Sequence, residues 1–280
     1  MSRIVGICII GFWAVAFTML LMRDVAPYWQ ANDPPKGPVA EARRQSAILD
    51  ARDRRIGTNW VDIRKQGELT TVQSITVLSP RMLDIELLKA SPSVILDTSL
   101  TFRPDGVLMT FESRIEGWTE RIELTGDLLG IDYSCVARIG PVERQFSLDA
   151  RFSKELGETL RPFTHLGGLH VGQKWQMHMV DPLSLLTGQT AEFSKIIVEV
   201  TGVDRIEHGG RTLECFRVES HSANAIAWVD REGNVLRQTV HVPLLGKFTI
   251  LDEPYRESDR REARESIQRY GRPRQQSTAR

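Results

Sequence analysis

The chain has little cysteine and no excess of either charge. Its 280 residues include only three cysteines, and 36 lysine and arginine residues balance 36 aspartate and glutamate residues. So few cysteines exclude a disulfide-rich scaffold, and a balanced charge gives no reason to expect a nucleic-acid partner. Cys135 and Cys215 could pair in an oxidising compartment, or each could fill a buried position in a strand, and the sequence leaves both alternatives open.

The sequence also lacks the motifs of common catalytic sites. No serine lies in a G-x-S-x-G elbow, and Gly167, Gly168 and Gly172 lack the G-K-[ST] ending of a phosphate-binding loop. We therefore predict no catalytic residue and no cofactor.

Two sets of residues are weak chemical candidates. His165, His170 and His178, followed by Asp181, offer metal ligands, but their spacing matches no established zinc motif, and we predict no metal site. Cys135 could form a triad with His170 and Asp181, although its segment is typical of a strand rather than of a helix N-terminus, where a thiol pKa is lowered. These residues define the alternative prediction, a hydrolase or an acyl or aminoacyl transferase.

One long hydrophobic run lies at the N-terminus. Among the 19 consecutive residues from Ile4 to Met22, Thr18 is the only clearly polar one. As a helix this run would span roughly 28 Å, about the thickness of the hydrocarbon core of a bilayer. It is longer than the apolar core of a cleaved signal peptide, so we predict an uncleaved, single-pass anchor in the inner (cytoplasmic) membrane.

Charge gives only a weak signal for the orientation of this anchor. Arg3 precedes the run, and Arg23 and Lys36 follow it. The numbers of positive charges on the two sides are nearly equal, so the positive-inside rule hardly distinguishes the two orientations. A very short N-terminus followed by a long β-rich domain is the usual plan of a signal anchor. We therefore expect the body on the extracytoplasmic, periplasmic side.

Charged and proline-rich segments flank the body. Residues 33–38 predict a stiff spacer, and residues 39–56, rich in alanine and arginine, predict a short charged helix. The tail holds eight arginines, and we expect a helix as far as Arg269 and disorder after Gly271. The predicted parts are an anchor (1–22), a spacer with a helix (23–57), a β-domain (58–255) and a basic, partly disordered tail (256–280).

Alternating apolar and polar residues dominate the body. Period-two runs at 107–112, 195–200 and 235–242 are typical of strands with one face toward a core. Glycine-containing turns at 103–106, 208–210 and 230–233 supply the positive φ that hairpins need. The predicted fold is mainly β: an N-terminal transmembrane helix followed by a large curved antiparallel sheet or an incomplete β-barrel.

Large aromatic residues recur on or beside the predicted strands. In a closed sandwich they would fill the core, whereas in an open half-barrel they would line a concave apolar groove suited to acyl chains or an apolar peptide. The groove candidates are Trp118, Trp175, Trp228, Phe102, Phe111 and Phe216.

Parts of the body resemble bacterial families. The segments 171–175, 181–182, 196–202 and 227–237 resemble a pattern in uncharacterised extracytoplasmic β-domains similar to the lipoprotein-carrier (LolA/LolB-like) half-barrel group. The stretch 56–127 is similar to the β-region upstream of bacterial transglutaminase-like domains, but no transglutaminase catalytic segment follows it, so no catalytic residue is carried over. The resemblance implies a periplasmic, membrane-tethered β-domain that binds or scaffolds.

These observations together predict a membrane-anchored extracytoplasmic module that binds an apolar ligand or docks an envelope protein. Residues 4–22 would contact membrane lipid. The sequence favours this binding or scaffold function over the hydrolase or transferase alternative.

Overall fold

The computed structural model describes residue 35 and residues 41–79, 93–117, 120–160, 164–180, 193–242 and 246–270. Within these residues, the strands of the N-terminal half are β1 (Ala42–Leu49), β2 (Arg55–Gln66), β3 (Leu69–Leu78), β4 (Val94–Phe102), β5 (Leu108–Glu116), β6 (Ile122–Leu129), β7 (Asp132–Ile139) and β8 (Val142–Asp149). The strands of the C-terminal half are β9 (Lys174–Val180), β10 (Phe193–His208), β11 (Arg211–Ser220), β12 (Ala225–Val229), β13 (Val235–Val242) and β14 (Gly246–Glu253). The helical segments are a 3₁₀ turn (Ala150–Phe152), α1 (Ser153–Leu160) and α2 (Glu257–Tyr270).

These strands form a single antiparallel sheet in the order β8-β7-β6-β5-β4-β3-β2-β1-β14-β13-β12-β11-β10-β9. β1 lies in the middle of the sheet, and the following strands run outward from it to β8 at one edge. The chain then crosses to β9 at the opposite edge and returns strand by strand until β14 pairs with β1. Within the described part of the chain, β8 and β9 have no strand on their outer sides. The prediction of a mainly β fold built on a large, curved, unclosed antiparallel sheet is confirmed.

The predicted anchor, residues 1–22, lies outside the residues that the structure describes. None of the helices it does describe has the length and apolar character needed to cross a bilayer. The anchor therefore stays a prediction.

The short charged helix predicted for residues 39–56 is wrong, because Ala42–Leu49 is a central strand. Its polar side chains have partners on other elements: Gln45 accepts hydrogen bonds from the indole of Trp60 (3.0 Å) and from the backbone N–H of Arg256 (2.9 Å), and Arg44 lies 3.7 Å from Asp252. The alternation that marks a strand is hidden because polar residues on β1 face polar partners from remote parts of the chain. The β-region accordingly begins before the predicted boundary at residue 58.

The three period-two runs are strands, as predicted. They fall in or at the ends of β5, β10 and β13. The turns beside them contain Gly106 (φ 83°), Gly209 (φ 57°) and Gly233 (φ 90°), so the expected turn chemistry is confirmed.

Cross-strand pairs define two faces of the sheet. On the face that we call inner, Val72, Leu100, Phe111, Gly126 and Cys135 lie directly opposite one another across β3–β7. A Cβ on Gly126 would lie 2.3 Å from the ring of Phe111, so only glycine lets that ring cover β6. This row forms the centre of the N-terminal apolar core.

The opposite face, which we call outer, carries charges and α2. A row of ion pairs crosses β5–β8, with Arg114 3.3 Å from Glu123 and Arg138 2.7 Å from Glu143. The predicted helix in the tail is present as α2, which packs through Ala263. Residues after Tyr270 lie outside the described part of the chain.

Candidate functional site

Two apolar clusters lie on the inner face, one in each half of the sheet. We call them the N-terminal cluster, which includes Val72, Leu100, Phe111, Tyr133, Cys135 and Leu156, and the C-terminal cluster, which includes Trp175, Met177, Val198, Val200, Val218 and Val229. Both clusters lie on the same side of the sheet. Direct cross-strand pairs connect Val200 in the C-terminal half to Ile48 in β1 through Val218, Ala227, Gln238 and Ile250. The inner face is therefore one surface with two apolar regions.

Helix α1 covers the N-terminal cluster. Leu156 is fully buried, and Gly157 is also buried, with the position of a Cβ lying 3.0 Å from the ring of Phe102. The hydroxyl of Ser153 at the start of α1 interacts with the phenol of Tyr133. α1 follows β8 and packs against the other edge strand, β9, and against β5, so it links β9 to the N-terminal half of the sheet.

The segment 164–172 covers the C-terminal cluster. Leu166 and Leu169 pack against that cluster. The backbone N–H of Leu166 donates to the carbonyl of Gly233 (2.7 Å), and the N–H of Val235 donates to the carbonyl of Thr164 (3.3 Å). We call residues 150–173 the crossover. Its described parts, residues 150–160 and 164–173, cover the two apolar regions.

A polar belt separates the two clusters on β1, β13 and β14. Oδ2 of Asp252 lies 3.7 Å from Nη1 of Arg44 and 3.8 Å from Nε2 of His208, and Arg44 also donates to the amide oxygen of Asn234. Burial raises the pKa of Asp252, although the charges of Arg44 and His208 oppose the shift. Since β10 is four strands from β14 in the sheet, the contact with His208 shows how strongly the sheet curls.

The belt also borders a small cavity of about 20 Å³ between Ser46, Thr164, Gln238 and Asp252. A cavity of this size has room for about one water molecule. Its polar lining matches such an occupant rather than an apolar ligand.

The aromatic groove candidates are divided between several places. Phe102 and Phe111 belong to the N-terminal cluster, and Trp175 and Phe216 belong to the C-terminal cluster. Trp228 lies on the outer face, where its indole donates to Asp204 (3.0 Å) and Arg237 lies 5.3 Å above its ring. Trp118 lies outside the described residues.

The residues of the alternative enzyme prediction are not brought together. His165 forms an isolated bridge with Asn234, His170 lies in an exposed turn and His178 lies in β9. The part of the chain that the structure describes contains no group of three His, Cys, Asp or Glu residues arranged to hold a metal ion. Asp181 lies outside that part.

Cys135 and Cys215 are both free thiols and both are buried. Burial raises the pKa of Cys135 to about 12 and that of Cys215 to about 11. A thiol of this kind is a poor nucleophile at neutral pH, because the thiolate is the reactive form. Of the two alternatives that the sequence left open, the buried, unpaired one describes the structure.

Sequence reasoning missed α1 and the polar belt. The spacing of Leu156 and Leu160, four residues apart after Ser153, is a helix signal that short length made easy to overlook. Nothing local marks Arg44, His208 and Asp252, because their proximity depends on the curvature of the whole sheet.

Comparisons with known proteins add little. No protein-family model matches the chain, and no curated protein matches it. The solved structure of a DUF1089-family protein from Pseudomonas aeruginosa is similar at 16% identity over 67% of this chain and 90% of that chain, with a TM-score of 0.33. A likeness this weak carries no argument about function.

Proposed function

We propose that the chain is a membrane-anchored extracytoplasmic module that binds an apolar ligand on the inner face of its sheet. The proposal rests on one observation, the way in which the inner face is covered. A single connection, the crossover, covers both apolar clusters, where a sandwich would use a second sheet. A ligand would enter by displacing α1 from the N-terminal cluster.

The energetics allow this exchange. An eight-residue helix is marginal in water without tertiary contacts, and burial of a leucine such as Leu156 contributes about 2–3 kcal/mol. Each buried methylene of an acyl chain contributes about 0.8 kcal/mol, so a chain of roughly eight methylenes offsets the lost contacts of two leucines. An acyl-chain amphiphile is therefore the ligand class that fits best.

The sequence resemblance to the lipoprotein-carrier half-barrel group supports the same function. It rests on the segments around Trp175, Val198 and Trp228. Two of those residues, Trp175 and Val198, are buried in the C-terminal cluster. An envelope protein that docks on the sheet is the alternative partner, and the binding experiment distinguishes it.

An engineered disulfide tests the role of α1. A Cβ on residue 157 would lie 3.8 Å from Cβ of Leu108, which is close to the mean Cβ separation of about 3.8 Å in disulfides. In full-length chain carrying Leu108→Cys and Gly157→Cys, oxidation locks α1 onto the sheet, and reduction frees it. The single variants Leu108→Cys and Gly157→Cys control for the substitutions alone.

Native mass spectrometry of the full chain released from detergent provides the measurement. We expect adducts of amphiphile mass on the wild type and on the reduced double variant. The adducts should be absent when the double variant is oxidised first and lipid from the expression host is added back afterwards. A wild type without any amphiphile, or one that carries an envelope protein instead, would overturn the apolar-ligand proposal. Equal adducts in oxidised and reduced protein would overturn the role of α1.

The membrane and compartment assignments have their own test. Alkaline phosphatase fused after Arg280 should be active, because that enzyme folds only outside the cytoplasm, and the fusion should sediment with membranes. A matched fusion with Val5→Arg and Ile10→Arg should lose membrane association, because placing a charged side chain inside the bilayer has a high free-energy cost. An inactive reporter on a membrane-bound chain would reverse the orientation, and a soluble wild-type fusion would refute the anchor.

A further inference from the structure

Five exposed apolar side chains lie at one end of the sheet. We call this set the rim: Leu69, Leu129, Ile131, Val171 and Val203. Leu69 starts β3, Leu129 ends β6 and Ile131 follows it in the turn to β7. Ile131 is 83% exposed and Leu129 is 66% exposed, so the tip of this turn presents two aliphatic side chains to the surroundings.

The rim lies at the end of the sheet where the chain enters it. Ala42, the first residue of β1, pairs with Ile63, and β2 then ends at Gln66, just before Leu69. Because every strand pair is antiparallel, the turn at Ile131 falls at this same end. Val171 precedes β9 and Val203 lies in the part of β10 beyond its pairing with β9, again toward this end.

The length of chain before β1 limits how far the rim can be from the predicted anchor. Eighteen residues (23–40) separate Met22 from Glu41, and they can span at most about 60 Å when fully extended. Any turn or proline-rich conformation shortens this distance. The chain enters β1 at the end of the sheet that carries the rim, so a tether from the predicted anchor attaches to the sheet at this end.

We propose that the rim is a membrane-contact surface on which the sheet stands end-on against the bilayer. This inference rests on the proposed anchor. Exposed aliphatic side chains cost little when they enter the boundary between head groups and acyl chains, whereas in water they favour association.

The charges near the rim indicate apolar rather than electrostatic contact. Arg103 pairs with Asp105 (3.0 Å), Arg151 with Asp149 (2.7 Å) and Arg205 with Glu214 (3.3 Å). Because each of these three basic side chains has an acidic neighbour, its attraction for anionic lipid is weakened. The occupant is therefore a bilayer surface of any head-group charge.

This orientation also brings the crossover to the membrane. The N–H of Ala150, where the crossover begins, donates to the carbonyl of Ile131 (3.0 Å). Contact of the rim with lipid would place the start of α1 at the membrane surface. An amphiphile could then move between the bilayer and the inner face without crossing water.

Site-specific fluorescence in the full-length chain tests the rim. Cys8→Ser leaves only the two buried native thiols, and Ile131→Cys adds one labelled position at the rim. Val142→Cys is the matched control, because Val142 is also well exposed (65%) but begins β8 beside the turn at the opposite end of β7 and β8. Each variant carries an environment-sensitive probe and is reconstituted into phosphatidylcholine vesicles with and without shallow doxyl-labelled lipid.

We expect doxyl lipid to lower the emission at position 131 by about twofold, as for a group that reaches the interfacial region, and to leave position 142 unchanged. Replacing part of the phosphatidylcholine by phosphatidylglycerol should not change this difference. Chain that floats with vesicles but shows equal emission changes at both positions would overturn the rim proposal while the anchor stands. Chain that fails to float would refute the anchor, and the rim proposal with it.

Discussion

Oδ2 of Asp62 in β2 lies 3.1 Å from Nη1 of Arg260 in α2, and both side chains are almost completely buried. Arg64 donates to the same carboxylate, and Gln73 accepts hydrogen bonds from Arg260 (3.4 Å) and Arg264 (2.7 Å). Burial alone would raise the pKa of Asp62, but the bond from Arg64 and the nearby arginine charges outweigh it and hold the pKa low. The ion pair thus fastens the C-terminal helix to the outer face.

Arg260→Ala should therefore destabilise the protein substantially. The substitution leaves the buried carboxylate of Asp62 without its most buried partner, and loss of one member of a buried pair typically costs about 3–5 kcal/mol. Because Arg64 remains, we expect the lower part of that range. Urea unfolding followed by circular dichroism measures the change.

The next residue of the same helix provides the control. Arg261 is exposed, so Arg261→Ala should change the unfolding free energy by less than about 0.5 kcal/mol. Asp62→Asn combined with Arg260→Met should recover part of the loss, since it removes the unpaired charge. Equal effects of the two alanine substitutions would show that the ion pair does not hold α2.

The buried carboxylate of Glu116 should lower the free energy of unfolding at neutral pH. Its Oε2 atom is buried and has no hydrogen-bond partner among the described residues, and burial raises its pKa above the ordinary value of 4.5. The folded chain then binds this proton more tightly than the unfolded chain, so stability falls as the pH rises from 4.5 through the folded-state pKa. Glu116→Gln should accordingly be more stable than wild type at neutral pH, and the difference should vanish in acid.

Glu143→Gln should have the opposite effect to Glu116→Gln: it should lower stability at neutral pH, and the difference from wild type should shrink in acid. The hydrogen bonds from Arg138 and Gln145 lower the pKa of Glu143, so its contribution is present above the ordinary value and is lost as the pH falls through the folded-state pKa. Urea unfolding of both variants between acid and neutral pH gives the two trends. If Glu116→Gln is less stable than wild type at neutral pH, its ion pair with Arg121 outweighs the burial penalty.

Cys135 and Cys215 should be unreactive in the folded chain. Both thiols are buried, and burial raises their pKa to about 12 and about 11. In a Cys8→Ser background at about pH 8, an aromatic disulfide reagent should therefore label neither thiol until guanidinium chloride unfolds the chain. Rapid labelling of folded protein at Cys135 would revive the nucleophile alternative.

The sequence alone predicted the strands with an apolar face and the turns between them. The run that contains Val240 alternates because one side of β13 faces the core, and Gly233 marks its turn. The central strand β1 was not predictable in the same way. β1 carries polar residues on both faces, Gln45 on the outer and Arg44 on the inner. Their partners include Arg256 and Asp252, which come from distant parts of the chain.

The candidate site was predictable only in part. Phe111 and Trp175 could be recognised as inward-facing aromatic residues, but their separation into two clusters depends on the strand order, in which β1 and β14 insert the polar belt. The cover by α1 depends on the crossover between the two sheet edges. No local pattern encodes which segment lies over a concave face, because that choice follows from where the edge strands end.

Leu156→Ala should loosen α1 more than the sheet beneath it. Leu156 is fully buried in the N-terminal cluster, and such a truncation typically costs about 2–5 kcal/mol. If α1 opens as a separate unit, most of this cost should appear as faster hydrogen exchange in residues 153–160, with a smaller change in β3–β5. Leu148→Ala removes a side chain of the same type from the same cluster, but on β8, so it should speed exchange in the sheet as much as in α1. Indistinguishable exchange patterns in the two variants would mean that α1 unfolds only with the whole sheet, which would remove the mechanism by which a ligand reaches the inner face.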